Sequence, residues 1–168
     1  MRQLFAFLLL LLAETAFGAP EVEESLDSRF IGWVSMGAGG AYANNLPYGN
    51  ISHYIGLHVG RGSDFSTFRI TGSPFATSGK YTHLDSGILL GKMYNKGIWS
   101  FTLASGLSVV DFTGENKFQR QNTIGIPIEL GILFGKSSLR YGIEFVSNLN
   151  TVAPLYGWRF LARIGALP

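Results

Sequence analysis

The chain has 168 residues, enough for one domain with a buried interior and too few for two. Only 14% of them are charged while aromatics reach 14% and glycines number 22, so an ordinary water-coated globule, with roughly 25% charge, is excluded. A net charge of +2 argues against a strong polyanion binder, and the absence of cysteine removes disulfides, thiolate metal sites and a lipoprotein anchor.

The N-terminus reads as a targeting segment. Arg2 supplies a positive start, and residues 4–12 form an apolar run with no polar residue. That run has the length of a signal-peptide core and is too short to span a bilayer as a helix. Ala16-Phe17-Gly18 puts small residues where a signal peptidase reads, so residues 1–18 are expected to be a signal peptide cleaved before Ala19. Residues 19–28 form an acidic, periplasmic segment carrying Glu21, Glu23, Glu24 and Asp27. Past Asp27 there remain 12 basic and 6 acidic residues, a balance of +6 that suits an anionic lipid surface; no nucleic-acid partner is expected. No later stretch approaches 18 consecutive apolar residues, so a helical span is excluded.

Residues 29–168 have a dominant period of two, the mark of strands with two unlike faces. The first strand, near residues 30–43, is so rich in glycine that its facing stays open. The second sets Ile55, Leu57 and Val59 against Tyr54, Gly56, His58 and Gly60. The third is short, with Phe68 and Ile70 against Thr67, Arg69 and Thr71. The fourth sets Leu84, Ile88 and Leu90 against His83, Asp85, Gly87 and Gly91. In the fifth, Trp99, Phe101, Leu103, Leu107 and Val109 alternate with Ser100, Thr102, Ala104, Gly106 and Ser108. The sixth is the clearest, with Ile124, Ile126, Ile128, Leu130, Ile132 and Phe134 on one face and Glu129 among small residues on the other. Pro127 inside it removes a ladder donor and implies a bulge or an edge-like position. The seventh places Tyr141, Ile143 and Phe145 opposite Arg140, Gly142 and Glu144, and the eighth places Trp158, Phe160 and Ile164 opposite Arg159, Leu161 and Arg163.

Connections alternate in length. Tight turns fall at Arg61-Gly62-Ser63-Asp64, Asn95-Lys96-Gly97 and Gly135-Lys136-Ser137-Ser138; longer links fall at residues 44–50, 73–80, 111–122 and 147–155. This predicts an all-β fold, an eight-stranded antiparallel up-and-down transmembrane barrel in the outer membrane of a Gram-negative envelope, with both termini in the periplasm. The bulky apolar face covers lipid, and an eight-stranded lumen is filled by side chains. Tyr94 and Trp99 beside a tight turn, and Tyr156 and Trp158 beside a long link, fit two aromatic girdles. A soluble lipocalin-like barrel would need far more Lys and Glu on its outer face.

On this pattern the chain resembles the small eight-stranded outer-membrane barrels, the superfamily of the OmpA transmembrane domain and OmpX. The segment Asn122-Thr-Ile-Gly-Ile-Pro-Ile-Glu-Leu-Gly131, followed by Ser-Asn-Leu-Asn and a closing strand, is similar to uncharacterised barrels of the Bacteroidota. The resemblance implies handling by the outer-membrane assembly machinery. Such barrels usually end in an aromatic residue, whereas Pro168 stands here. An enzymatic resemblance, to lipid A deacylases with a His-x-Ser-Asn segment and a downstream Glu, meets Phe145-Val146-Ser147-Asn148 with phenylalanine in the histidine's place and Arg159 in the glutamate's. A serine without a base is a weak nucleophile.

Inside the lumen, a turn at Lys136-Ser137 would set Glu129 opposite Glu144, and two facing carboxylates could act as an acid–base dyad. An alternative register brings Arg159 beside Glu144 with Arg140 and Arg163 nearby, a self-neutralising cluster, which is how buried charges usually occur. His58, Arg69, His83 and Asp85 are further lumen polar residues, too dispersed for a metal site. Phe112, Lys117, Phe118 and Arg120, in the longest link, are candidates for contact with lipopolysaccharide or a partner. The expectation is a non-enzymatic barrel with a structural, adhesion or recognition role through its loops, surrounded by outer-membrane lipid and lipopolysaccharide, with no cofactor or metal. A deacylase-like lipid A-modifying enzyme and a soluble ligand-binding barrel are the alternatives.

Overall fold

The computed structural model describes residues 30–43, 50–73, 82–113, 120–136 and 138–166. The signal peptide, the acidic segment, Lys117, Phe118 and Pro168 lie outside the described residues. Eight strands follow in chain order: β1 (Phe30–Ala43), β2 (Asn50–Arg61), β3 (Asp64–Gly72), β4 (Thr82–Lys96), β5 (Trp99–Thr113), β6 (Arg120–Lys136), β7 (Leu139–Asn150) and β8 (Leu155–Ala166). Each pairs antiparallel with its neighbours, and β8 returns to β1, closing the barrel.

The pairing is staggered. Starting at Arg61 on β2, the ladder runs through Asp64, Lys92, Leu103, Leu130, Phe145, Trp158 and Gly40, then returns to β2 at Ile51, ten residues from its start. Such a stagger tilts the strands by about 40° to the axis. At that tilt, strands of roughly a dozen residues cross the apolar layer of a bilayer.

Alternation decides what faces where. Leu57, Ile88, Leu90, Leu107, Ile124, Phe145 and Phe160 stand exposed on the outer wall, whereas Arg69, Asp85, Glu129, Glu144, Arg159 and Arg163 are buried inside. This is the reverse of a soluble barrel, and it overturns the lipocalin-like alternative: water would solvate the wrong face. The facing of β1, open in the sequence, is set by its partners on both sides. Trp33 and Ser35 turn inward beside His58 of β2, while Met36 and Tyr42 turn outward.

Several local expectations are corrected. The β4–β5 turn closes on the pair Lys96–Trp99, and β6–β7 closes on Lys136–Leu139, one residue later than the sequence reading in each case. At Gly62 and Gly97 the first turn residue has φ of 61° and 62°, which glycine adopts at no steric cost. The link expected over residues 147–155 shrinks to residues 151–154, because β7 runs on to Asn150. Asn150 caps it: its Oδ1 accepts from the Val152 and Ala153 amides at 3.1 and 2.8 Å, and its Nδ2 donates to the Ala153 carbonyl at 2.9 Å. Likewise Asp111–Thr113 and Arg120–Asn122 belong to strands, so β5 and β6 form the tallest hairpin, 15 and 17 residues long.

Pro127 makes no bulge. The β5–β6 register is the same on both sides of it, Ser105–Ile128 and Ser108–Gly125, and only the two pairs between are lost. The Ser105 hydroxyl donates to the Pro127 carbonyl at 2.9 Å, so one strand-to-strand link survives without the missing N–H.

Lumen glycines make room for large side chains. A Cβ at Gly56 would stand 2.9 Å from His58 Nε2, one at Gly91 would run into the Phe65 ring, and one at Gly125 would run into the Asn148 side chain. At the closing seam, a Cβ on Gly39 would stand 2.7 Å from the Trp158 carbonyl carbon, whereas at outward-facing Gly40 it would meet the Trp158 indole at 3.5 Å and the Tyr42 ring at 3.9 Å, ordinary contact distances. Gly39→Val should therefore abolish the heat-dependent gel shift of detergent-extracted, membrane-recovered protein. Gly40→Ala should retain it.

Candidate functional site

The lumen is filled in three layers. At the tight-turn end, Trp33, Phe65, Leu89, Met93 and Ala104 form an apolar plug. At the long-loop end, Ala43, Val110, Phe112, Ala153 and Leu155 form a second. These layers were not expected from a face read as mostly glycine, serine and threonine. Between them lies the polar layer that holds the candidate site.

That layer is one connected network. Arg69 of β3 binds Asp85 of β4 at 2.6 Å and reaches across the lumen to Glu129 of β6 at 3.2 Å. Arg159 of β8 donates to Glu129 at 2.7 Å and, through Nε, to Glu144 of β7 at 2.6 Å. Arg163, four residues further along β8, reaches Glu144 at 3.1 Å and Thr102 at 3.3 Å. Asn148 of β7 donates to Asp85 and to Ser108 of β5, each at 2.8 Å. The Arg159 guanidinium also lies over the Tyr54 ring of β2, 3.4 Å from its centroid, a cation–π contact. Three acids and three guanidiniums thus neutralise one another, as buried charges must.

The facing-carboxylate dyad is corrected by the register. Glu129 stands opposite Val146, and Glu144 opposite Gly131 and, on the other side, Arg159. Each carboxylate is held by two guanidiniums rather than by the other carboxylate. Arg140 is separated from the cluster as well. It is the register partner of Arg163, and the two like charges splay apart: Arg140 turns toward the tight-turn end, donating to Asn95 at 2.6 Å and to Ser100.

His58 is fully engaged. Its ring nitrogens lie 2.8 Å from Ser35 Oγ and 2.7 Å from Thr67 Oγ1, and its ring stacks on Trp33 at 4.9 Å. His83 is buried on the same face as Asp85. Among the described residues, no three His, Cys, Asp or Glu converge as metal ligands would. Phe112 is corrected from a loop contact to a buried member of the upper apolar layer. Arg120 is exposed at the start of β6 and donates through Nε to Asp111 at 2.7 Å.

Tyr94 and Trp99 stand outward near the tight turns, where Trp99, Phe134 and Tyr141 line up at 6.1 Å spacing. Tyr156 and Trp158 stand outward toward the other end, with Tyr42 paired to Tyr156 and Phe160 edge-on to Trp158. Tyr54, Asn148, Thr67, Thr102 and Ser108 are site residues that sequence reasoning did not single out. Parity already put most of them on the inward face, but which charge each would meet depends on the stagger.

The segment compared with the deacylase motif divides across the wall. Phe145 and Ser147 point outward, while Asn148 and Arg159 point inward and are committed to the network. Removing one member of this network leaves charge buried without its partner. Arg159→Met should lower stability by about 3–5 kcal/mol, measured by urea unfolding in lipid vesicles. Combining it with Glu144→Gln should cost less than the sum, with a coupling of about 1–3 kcal/mol.

No protein-family model matches the chain, and no curated protein matches it. Solved structures do. Neisserial surface protein A is 11% identical with a TM-score of 0.64, covering 80% of this chain and 96% of that one. The attachment invasion locus protein Ail of Yersinia pestis, solved in complex with the heparin analogue sucrose octasulfate, is 8% identical with a TM-score of 0.57, covering 81% and 97%. The outer membrane enzyme PagL is 12% identical with a TM-score of 0.51, covering 79% and 98%. At such identities the likeness is one of fold. With a closed eight-stranded wall, charge inside and bulky apolar residues outside, the chain has the fold of the small outer-membrane β-barrels and an exterior built for lipid.

Proposed function

We propose that the protein is a non-enzymatic outer-membrane barrel that acts from its long-loop end, in recognition or adhesion, with the lumen serving as a rigid scaffold. The observation that carries this reading is the filled interior. Apolar layers flank a self-neutralised ionic layer, so the groups best suited to chemistry bind one another. What is left to meet other molecules is the lipid wall and the two rims. The tall β5–β6 hairpin ends at Thr113 and at exposed Arg120, and residues 114–119, with Lys117 and Phe118 among them, connect the two strands in sequence. Such loops on a rigid frame are the usual place for binding. The neighbours named above as a surface protein and an attachment protein support the same use of the fold. The partners in this reading are the surrounding lipopolysaccharide and lipid, the assembly machinery during insertion, and a ligand met by the loops.

Four outcomes test it. Lipid A from cells with and without the protein should give the same acylation profile by mass spectrometry; a changed profile restores the deacylase-like reading. Planar-bilayer recordings should show no large, stable conductance. Cells displaying the protein should adhere to immobilised heparin or matrix protein more than cells lacking it. Replacing residues 114–119 with a Gly-Ser linker should remove that adhesion and leave the heat-dependent gel shift intact; equal adhesion with and without the protein overturns the proposal.

A further inference from the structure

Among the described residues, charge on the outer wall is confined to the rims, and at the tight-turn rim it gathers on β2–β4. Arg61 ends β2, Asp64 begins β3, and Lys92 and Lys96 lie in the last five residues of β4, all on the outward parity of their strands. They are contiguous in the register, Arg61 opposite Asp64 and Asp64 opposite Lys92. The Met93 amide donates to the Ser63 carbonyl at 2.8 Å, which ties the β2–β3 turn onto β4 and holds Arg61 near Lys92. Across the barrel, the same rim carries Val34, Leu139, Ile164 and Ala166 outward, and Lys136 ends β6 there.

We propose that the cationic sector Arg61–Lys92–Lys96, flanked by Tyr94 and Trp99, binds the phosphate headgroup of an anionic glycerophospholipid in the leaflet that faces the tight turns. The inference rests on the membrane reading above. Lys92 keeps 77% of its side chain exposed although it lies 3.6 Å from Asp64, and Tyr94 is 65% exposed. One acid faces three cations here, so the sector retains a net charge of +2, opposite to the lipid's. Lysine and arginine at this depth lay their apolar stems along the wall and lift the charge to headgroup level. Tyr94 and Trp99 mark that level, because their amphipathic rings settle at the interface. The row Trp99, Phe134 and Tyr141 continues it around the barrel, so an acyl chain descending from the headgroup meets a continuous apolar wall. The acidic segment of residues 19–28 is the competing occupant, since it precedes Phe30, the register partner of Arg61. The lipid is favoured because the three cations stand on the outward parity of their strands, the face that meets the bilayer.

The test places the purified chain in phosphatidylcholine nanodiscs containing a minor share of phosphatidylglycerol and counts retained lipids by native mass spectrometry. Wild-type protein should retain phosphatidylglycerol in excess of its share. The R61Q/K92Q/K96Q variant should lose that enrichment by about tenfold or more, since each basic residue near an anionic surface is worth about fivefold. The K92R/K96R variant should keep it. Wild-type protein that shows the heat-dependent gel shift yet takes up lipid in proportion to the disc overturns this site alone. Enrichment that appears only after residues 19–28 are removed assigns the rim to that segment and also overturns it. Protein that shows no shift and does not insert overturns the membrane reading and the site together.

Discussion

The rest of the structure depends on closure of the backbone hydrogen-bond ladder. Lipid offers no partner to an unpaired N–H or C=O, and each one left open there costs several kcal/mol. Eight strands meet this condition only if β8 pairs with β1, and it does so over twelve residue pairs, from Gly32–Ala166 to Ala43–Leu155. The ten-residue stagger then fixes strand tilt, lumen width and the vertical position of every side chain. Glycine at Gly37 and Gly39 is part of the same condition, because side chains there would collide with the β8 backbone.

Closure creates the second problem, how to fill a narrow lumen with the residues that lipid rejects. The answer is arrangement by layer. Apolar plugs at both ends separate the ionic layer from the aqueous compartments, and each guanidinium spans at least two strands. Such a network is weak evidence for net stability, since well-packed apolar residues do as well. It is stronger as a constraint on register. A two-residue slip of β8 would move Arg159 and Arg163 together away from Glu144, so the charges penalise slips that the apolar outer face of the strand would tolerate.

Because the interior charges pair with one another, the proposed function falls to the boundaries. The two rims differ in kind. The long-loop rim is uneven, tall at β5–β6 and cut low at the four-residue link that Asn150 caps. The tight-turn rim is even in height but uneven in charge, with three cations over β2–β4 and, among the described residues, only Lys136 across from them at the end of β6. A rigid, closed barrel makes both asymmetries permanent, which is what a directional contact with a ligand or a lipid requires.

Fold class was legible in the sequence because its cause is local. Period-two alternation, scarce charge and alternating short and long links each follow from single residues and their immediate neighbours, and together they imply a lipid-facing barrel of eight strands. Inward placement of Glu129, Glu144, Arg159 and Arg163 followed from the same parity. The partners of those groups did not. A turn read one residue early set Glu129 against Glu144, where the tertiary structure sets Gly131 there and gives both carboxylates to Arg159. Shifting a turn by one residue moves cross-strand pairs by two, which preserves every facing and changes every neighbour. The facing of β1, the inward turn of Phe112 and the contact of Arg69 with Glu129 across the lumen were likewise decided only on closure. Each depends on strands distant in the chain, and on a stagger that exists only once the last strand has found the first.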